Sequence, residues 1–188
     1  HGSLAAIRDK IRRLLDEHTV RVVKPVVAGK LLVKRARKNG RVVERRRSPK
    51  RGDVLEVFHE LVYFTKVFPH PRLTLELVLV DVEEWRYPGR GRRRRSRRGD
   101  FQVEDQKLLA IHDRVLLRTA GDLCTLAGCD LSVPFDTADL ALRMGVNRWV
   151  AQRVAYCLRE MGAVQQVAKR GNTRIYQRVA ADDVALAG

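Results

Sequence analysis

Pro88 to Gly99 reads Pro-Gly-Arg-Gly-Arg-Arg-Arg-Arg-Ser-Arg-Arg-Gly, seven arginines in twelve residues. No apolar core can absorb such a run. Its like charges repel one another and its glycines resist regular structure, so it reads as a loop or hairpin tip that orders on a polyanion. The run also divides the chain. Residues 1–18 form a leading segment, residues 19–100 a basic unit carrying the arginine loop at 88–99, and residues 101–188 a second, nearly neutral part.

The charge follows this division. Residues 1–100 hold 27 Lys and Arg against 12 Asp and Glu, whereas residues 101–188 hold 11 against 10. The net charge of +16 therefore lies almost wholly in the first hundred residues. Charge of this density favours a polyanion partner through counterion release, and a solubilising surface does not require it. Nucleic acid is the expected partner, with DNA favoured over RNA. The longest apolar run, Leu75 to Val82, is interrupted by Glu76 and Asp81 and has strand length, so no membrane span is expected. Cys124, Cys129 and Cys157 lack both the spacing and the histidines of a zinc site. They read as reduced thiols of a cytoplasmic protein.

His1-Gly2-Ser3 reads as the remnant of an affinity tag. Leu4 to Glu17 has helical spacing of its apolar residues. From Thr19 the period changes to that of strands. Lys38-Asn39-Gly40-Arg41 signals a tight hairpin between Leu31–Ala36 and Val42–Arg46, because Asn-Gly accepts positive φ. This ribbon and the turn after it carry Lys34, Arg35, Arg37, Lys38, Arg41, Arg45, Arg46, Arg47, Lys50 and Arg51, a surface suited to a nucleic-acid groove. Asp53 is expected to cap a helix over 54–64, with Glu56 completing a capping box, and Pro69-His70-Pro71 to stop it. Leu73 to Val82 reads as a strand buried on both faces. Phe101 to Arg118 reads as a helix on the spacing of Leu108, Leu109, Ile111, Val115 and Leu116, followed by a short helix at Ala120–Ala127.

Further along, Phe135 to Val146 has the pattern of a first helix capped by Thr137, with Leu140 and Ala141 inward and Gly145 ending it in a left-handed turn. Asn147 opens a second helix, Arg148 to Met161, with Val150, Val154, Cys157, Leu158 and Met161 inward and Gly162 at its end. Val164–Ala168 and Thr173–Arg178 are strands around Lys169-Arg170-Gly171-Asn172. This order resembles the winged helix-turn-helix superfamily over the last third of the chain. The resemblance implies a recognition helix presenting Asn147, Arg148, Gln152 and Arg153 to base edges, and a wing contributing Lys169, Arg170, Asn172 and Arg174. Trp149 lies beside the base-reading positions. The phosphate grip would come from the ribbon and from Arg90, Arg92, Arg93, Arg94, Arg95, Arg97 and Arg98.

The expected fold class is thus α+β, a small basic β-hairpin/helix/strand unit followed by a helical linker and a C-terminal winged helix. The expected function is double-stranded DNA binding without a cofactor, with a homodimer or larger complex left open. One alternative is a metal-dependent nuclease targeted by the winged helix, with Glu56, Glu60, Glu76, Asp81 and Glu83 as its carboxylates and magnesium or manganese as its cofactor. Glu76-Leu77-Val78 and Asp81-Val82-Glu83 lack the lysine of the restriction-like nuclease element. Another alternative is an RNA-associated factor, since arginine-rich loops also read RNA shape.

Overall fold

The computed structural model describes residues 3–89 and 101–179. The protein is α+β. Its elements are helix α1 (Leu4–Leu15), strands β1 (Val20–Arg35) and β2 (Val42–Arg47), a 3-10 turn (Val54–Val57), helix α2 (Phe58–Leu61) and strands β3 (Leu73–Pro88) and β4 (Phe101–Leu117). Helices α3 (Ala120–Ala127), α4 (Thr137–Met144) and α5 (Arg148–Glu160) follow, then strands β5 (Val164–Arg170) and β6 (Thr173–Arg178). The first four strands form one sheet in the order β2-β1-β3-β4, and β5 pairs with β6 separately.

The chain forms two compact units, residues 1–23, 55–76 and 116–188 in one and residues 24–54 and 77–115 in the other. It passes from one to the other within β1, β3 and β4 and between Val54 and Leu55.

In the first unit, α1 buries Leu4, Ile11 and Leu15 at helical spacing. Ser3 belongs to the fold, because its hydroxyl accepts from Ala6 N–H and caps α1. The long helix expected after Asp53 is absent. Regular α-helix is confined to Phe58–Leu61, and the following residues turn by bonds such as Phe64 N–H to Leu61 O and Val67 N–H to Phe64 O. The apolar spacing survives, so Val57, Phe58, Leu61, Phe64, Val67 and Phe68 are all buried. Three valines, two phenylalanines and a tyrosine among residues 54–64 are weak helix formers, and packing rather than propensity shapes the segment. Helix α5 buries Ala151, Val154, Ala155, Cys157 and Leu158, while Val150 stays half-buried. It packs on α2, α3, α4 and β5.

In the second unit, β1 and β2 pair antiparallel, with Val33 opposite Arg45 and Lys34 opposite Glu44. The connection is longer than a two-residue turn. Residues 36–41 form it, closed by Ala36 N–H to Arg41 O and Gly40 N–H to Arg37 O, and only Asn39 takes a positive φ, 55°. Along β3, Val78, Val80 and Val82 form a buried cluster with Val27 against it.

Residues 101–117 are a strand, not the expected helix. The contacts Tyr87–Gln102, Glu84–Gln106 and Asp81–His112 step down β3 while stepping up β4, the order of an antiparallel pair. The physical reason lies in β3. Its backbone is buried and needs partners on both edges, and β4 supplies the second row. That requirement overrides a local helical period, and Leu108, Leu109 and Ile111 are left exposed.

Candidate nucleic-acid interface

Helix α4 is set by its N-terminus. Asp136, not Thr137, is the cap: its carboxylate accepts from Ala138 N–H at 2.7 Å and Asp139 N–H at 2.9 Å. Asp139 returns the bond to Asp136 N–H at 3.0 Å, which completes a capping box. The bond from Asp139 N–H is the main reason the Asp136 carboxyl lies below its usual range. Burial opposes the shift, and Ala138 N–H, Arg170 and Arg148 reinforce it. At the other end Gly145 takes φ 63°, which reverses the chain toward α5. Leu140, Val154 and Leu158 are buried where α4 and α5 pack together.

This packing fixes which face of α5 is outward. Arg148, Gln152 and Tyr156 stand at successive helical turns and are all exposed. They line an open groove of about 390 Å³ with Thr137, Arg159, Asn172, Thr173 and Arg174. Arg148 and Gln152 of the expected recognition helix and Asn172 and Arg174 of the expected wing therefore share one concavity. Asn147 precedes α5 without capping it through its side chain, and is exposed. Lys169 is exposed on β5.

Two expected contact residues have other partners. Arg153 turns away from the groove, with its Nη1 3.0 Å from His59 Nδ1 and its guanidinium 5.0 Å from the Trp149 ring centre. His59 and Trp149 stack at 5.0 Å. Trp149 is thus half-covered by a histidine rather than packed in the core. Arg170 donates to Asp136 at 3.4 Å, with its side chain still 78% exposed.

The basic ribbon of the second unit is partly neutralised from within. Lys34 and Arg46 pair with Glu44, and Lys30 with Glu84 at 2.6 Å. Arg35 reaches Glu104 at 3.4 Å and lies 4.4 Å over Trp85. Arg45 and Lys107 lie 5.7 Å and 5.5 Å from the same ring, so Trp85 gathers cations from β1, β2 and β4. Nothing in the sequence reading singled out Trp85 or Lys107, because a residue's neighbours across strands are invisible without the pairing. Arg37, Lys38 and Arg41 are exposed at the ribbon's turn, and Arg47, Lys50 and Arg51 are exposed beyond it. Arg90, Arg92, Arg93, Arg94, Arg95, Arg97 and Arg98 lie outside the described residues.

The carboxylates considered for metal chemistry do not converge. Glu76, 1% exposed, accepts from Arg21 Nε and Nη2, both at 2.7 Å. Glu60 accepts from Leu4 N–H at 2.8 Å, Glu83 from Trp85 Nε1 at 3.0 Å, and Asp81 meets His112 Nε2 at 3.1 Å. Glu56 lies in the 3-10 turn Val54–Val57. Among the described residues no three His, Cys, Asp or Glu side chains gather to hold a metal ion. Nor, among them, is any helix long and apolar enough to cross a membrane.

A family described as "Domain of unknown function (DUF8091)" matches residues 1–118. The chain belongs to this family. The DUF8091 match covers α1 through β4 and ends where α3 is about to begin. The chain is also similar to an uncharacterized protein of Treponema pallidum (strain Nichols), 29% identical over 178 residues, which are 94% of this chain and 68% of that one. That similarity extends past the DUF8091 segment into the helices and hairpin that follow. No solved structure matches the chain.

Proposed function

We propose that the protein binds double-stranded DNA, with α5 as the reading helix and the β5–β6 hairpin as a wing on the adjacent backbone. The observation that carries the reading is the shared groove, in which Arg148 and Gln152 of α5 face the same opening as Asn172 and Arg174 of the hairpin. Arginine and glutamine are the side chains that pair bidentately with guanine and adenine edges, and Asn and Arg on the hairpin suit phosphate. The succession α4, Gly145, α5, hairpin resembles the winged helix-turn-helix superfamily, in which the second helix enters the major groove. The net charge of +16 and the exposed cations at the turn of the β1–β2 ribbon support an additional, non-specific grip. Arg153 has no reading role here, because His59 and Trp149 hold it. The three free cysteines suit a reducing, cytoplasmic setting.

The test is fluorescence anisotropy with a labelled duplex across a salt series, with unlabelled structured RNA and single strands as competitors. Duplex affinity should fall steeply as salt rises. Arg148→Ala with Arg174→Ala should weaken binding and flatten the slope of log affinity against log salt by about 1–2. Gln152→Ala should change the ranking of duplex sequences more than the mean affinity. Wild-type affinity and slope in the double variant would refute the groove as the interface, and preferential competition by RNA would refute duplex DNA as the ligand.

A further inference from the structure

The second unit holds a separate pocket of about 340 Å³ near the start of the β3–β4 connection, at the end of the sheet where β1 meets its turn. Val43, Tyr87, Pro88 and Phe101 supply apolar walls, and Lys34, Arg35 and Arg86 also line it. Its volume falls in the usual range for small-ligand sites.

The three cations are not equivalent. Lys34 is paired with Glu44, and Arg35 with Glu104. Arg86 has no ion pair within 4 Å among the described residues, although the Glu44 carboxyl feels its charge. Arg86 is 9% exposed, its guanidinium lies 4.5 Å over the Phe101 ring, and among the described residues nothing accepts its buried Nε–H, as nothing accepts that of Arg35. A buried donor without an acceptor is costly, and an arginine cannot relieve the cost by losing its proton. Arg86 also lines the pocket and sets a largely desolvated positive charge beside exposed aromatic and aliphatic surface. Phe101 keeps 44% of its surface exposed, so the ring held against Arg86 remains open to a second flat partner.

We infer that this pocket binds a nucleotide, with its phosphate on Arg86 and its base against Phe101 and Val43. A guanidinium suits phosphate geometry, and a base stacks on an aromatic ring regardless of its identity. The inference does not rest on the duplex-binding groove, which lies in the other unit and uses other residues. The nucleotide has two possible sources, a free nucleotide or an unpaired residue of a single strand, and both present the same chemistry.

Calorimetry on the full chain tests this with AMP, adenosine, inorganic phosphate and a short single-stranded oligoadenylate as probes. AMP should bind at one site per chain, and adenosine and phosphate should each bind at least tenfold more weakly. Arg86→Met keeps the packing and removes the donor. Val43→Trp fills the pocket from an exposed position on β2 and leaves all the cations in place. Each should cost AMP at least tenfold while the Arg148→Ala, Arg174→Ala variant binds AMP like wild type. Circular dichroism melts of both pocket variants should match wild type. If Arg86→Met misfolds, Val43→Trp alone decides the matter. An oligoadenylate that binds much tighter than AMP and is lost in both pocket variants identifies the strand as the source, and equal affinities identify the free nucleotide. The proposal is overturned if AMP does not bind, if adenosine or phosphate binds as well as AMP, or if a folded Val43→Trp keeps wild-type affinity. Removing one charge of many would change non-specific binding only slightly, so a tenfold loss in Arg86→Met reports the pocket.

Discussion

Replacing Asp136 with alanine removes the side chain that starts α4, and the cost can be worked out from its contacts. The carboxylate accepts from Ala138 N–H and Asp139 N–H, and an alanine leaves both donors without that acceptor. Loss of an N-cap costs about 0.5–2 kcal/mol and typically about 1. Asp136 is only 7% exposed, so water replaces the carboxylate poorly, and a cost of about 1.5 kcal/mol is expected. The Arg170 pair adds little, at most about 0.3 kcal/mol, because the arginine side chain is 78% exposed. For a chain of this length, a loss of that size lowers Tm by about 3–6 °C. Asp136→Asn keeps an acceptor at the cap and should lose less than about 0.5 kcal/mol. The folded carboxyl lies below its usual range, so its contribution is fully present above about pH 4 and is lost as pH falls through the folded value. Urea titrations followed by circular dichroism at pH 7 and at pH 3 measure these differences. The alanine variant should trail wild type at pH 7, and the gap should narrow in acid. A gap below about 0.3 kcal/mol at pH 7, or one that widens as pH falls, would refute the capping argument.

Arg21→Met should destabilise the first unit by about 1–3 kcal/mol in the same assay, because it strips two bonds from the buried Glu76 carboxylate. The lower half of that range is expected, since Arg21 is itself 57% exposed. Thiol labelling of the native chain at pH 8 should modify Cys129 before Cys124 and leave Cys157 untouched until unfolding, because burial pushes the Cys157 thiol up to about 12. Prompt Cys157 labelling without unfolding would contradict this order. Gly29→Ala places a Cβ 2.3 Å from Asp81 Oδ1 and must displace that carboxylate from His112, with an expected loss of about 1 kcal/mol. Adding Asp81→Ala should recover most of the clash term, and a strictly additive double variant would show the clash to be absent.

The elements of the last third were legible because their signals are local. Gly145 ends α4, the apolar positions of α5 repeat every three to four residues, and Gly171, with φ 58°, lies in the turn of the hairpin. The cap stands one residue before the Thr137 that the sequence suggests, because Thr137 and Asp136 are both competent caps and only the backbone decides which one stands outside the helix. The basic residues of the groove could be named from sequence, but their grouping could not. Arg148 and Gln152 meet Asn172 and Arg174 only because α5 and the hairpin are packed side by side. Arg153, one residue after Gln152, faces His59, a partner 94 positions away.

That no core accommodates the seven arginines of residues 88–99 is legible from composition alone, and residues 90–100 lie outside the described residues. What that run connects was decided by the sheet. Phe101–Leu117 carries enough helical spacing to pass for a helix, and it becomes β4 because buried β3 needs hydrogen-bond partners along its second edge. The same pairing gathers Arg35, Arg45 and Lys107 at Trp85, and it sets Arg86 against Phe101 with an unused donor. Charge and periodicity are properties of short stretches, and the sequence carries them, though the choice between adjacent caps waits on the backbone. Strand neighbours and shared grooves arise from residues tens of positions apart, where local pattern has no hold and only the closing of the core selects the partners.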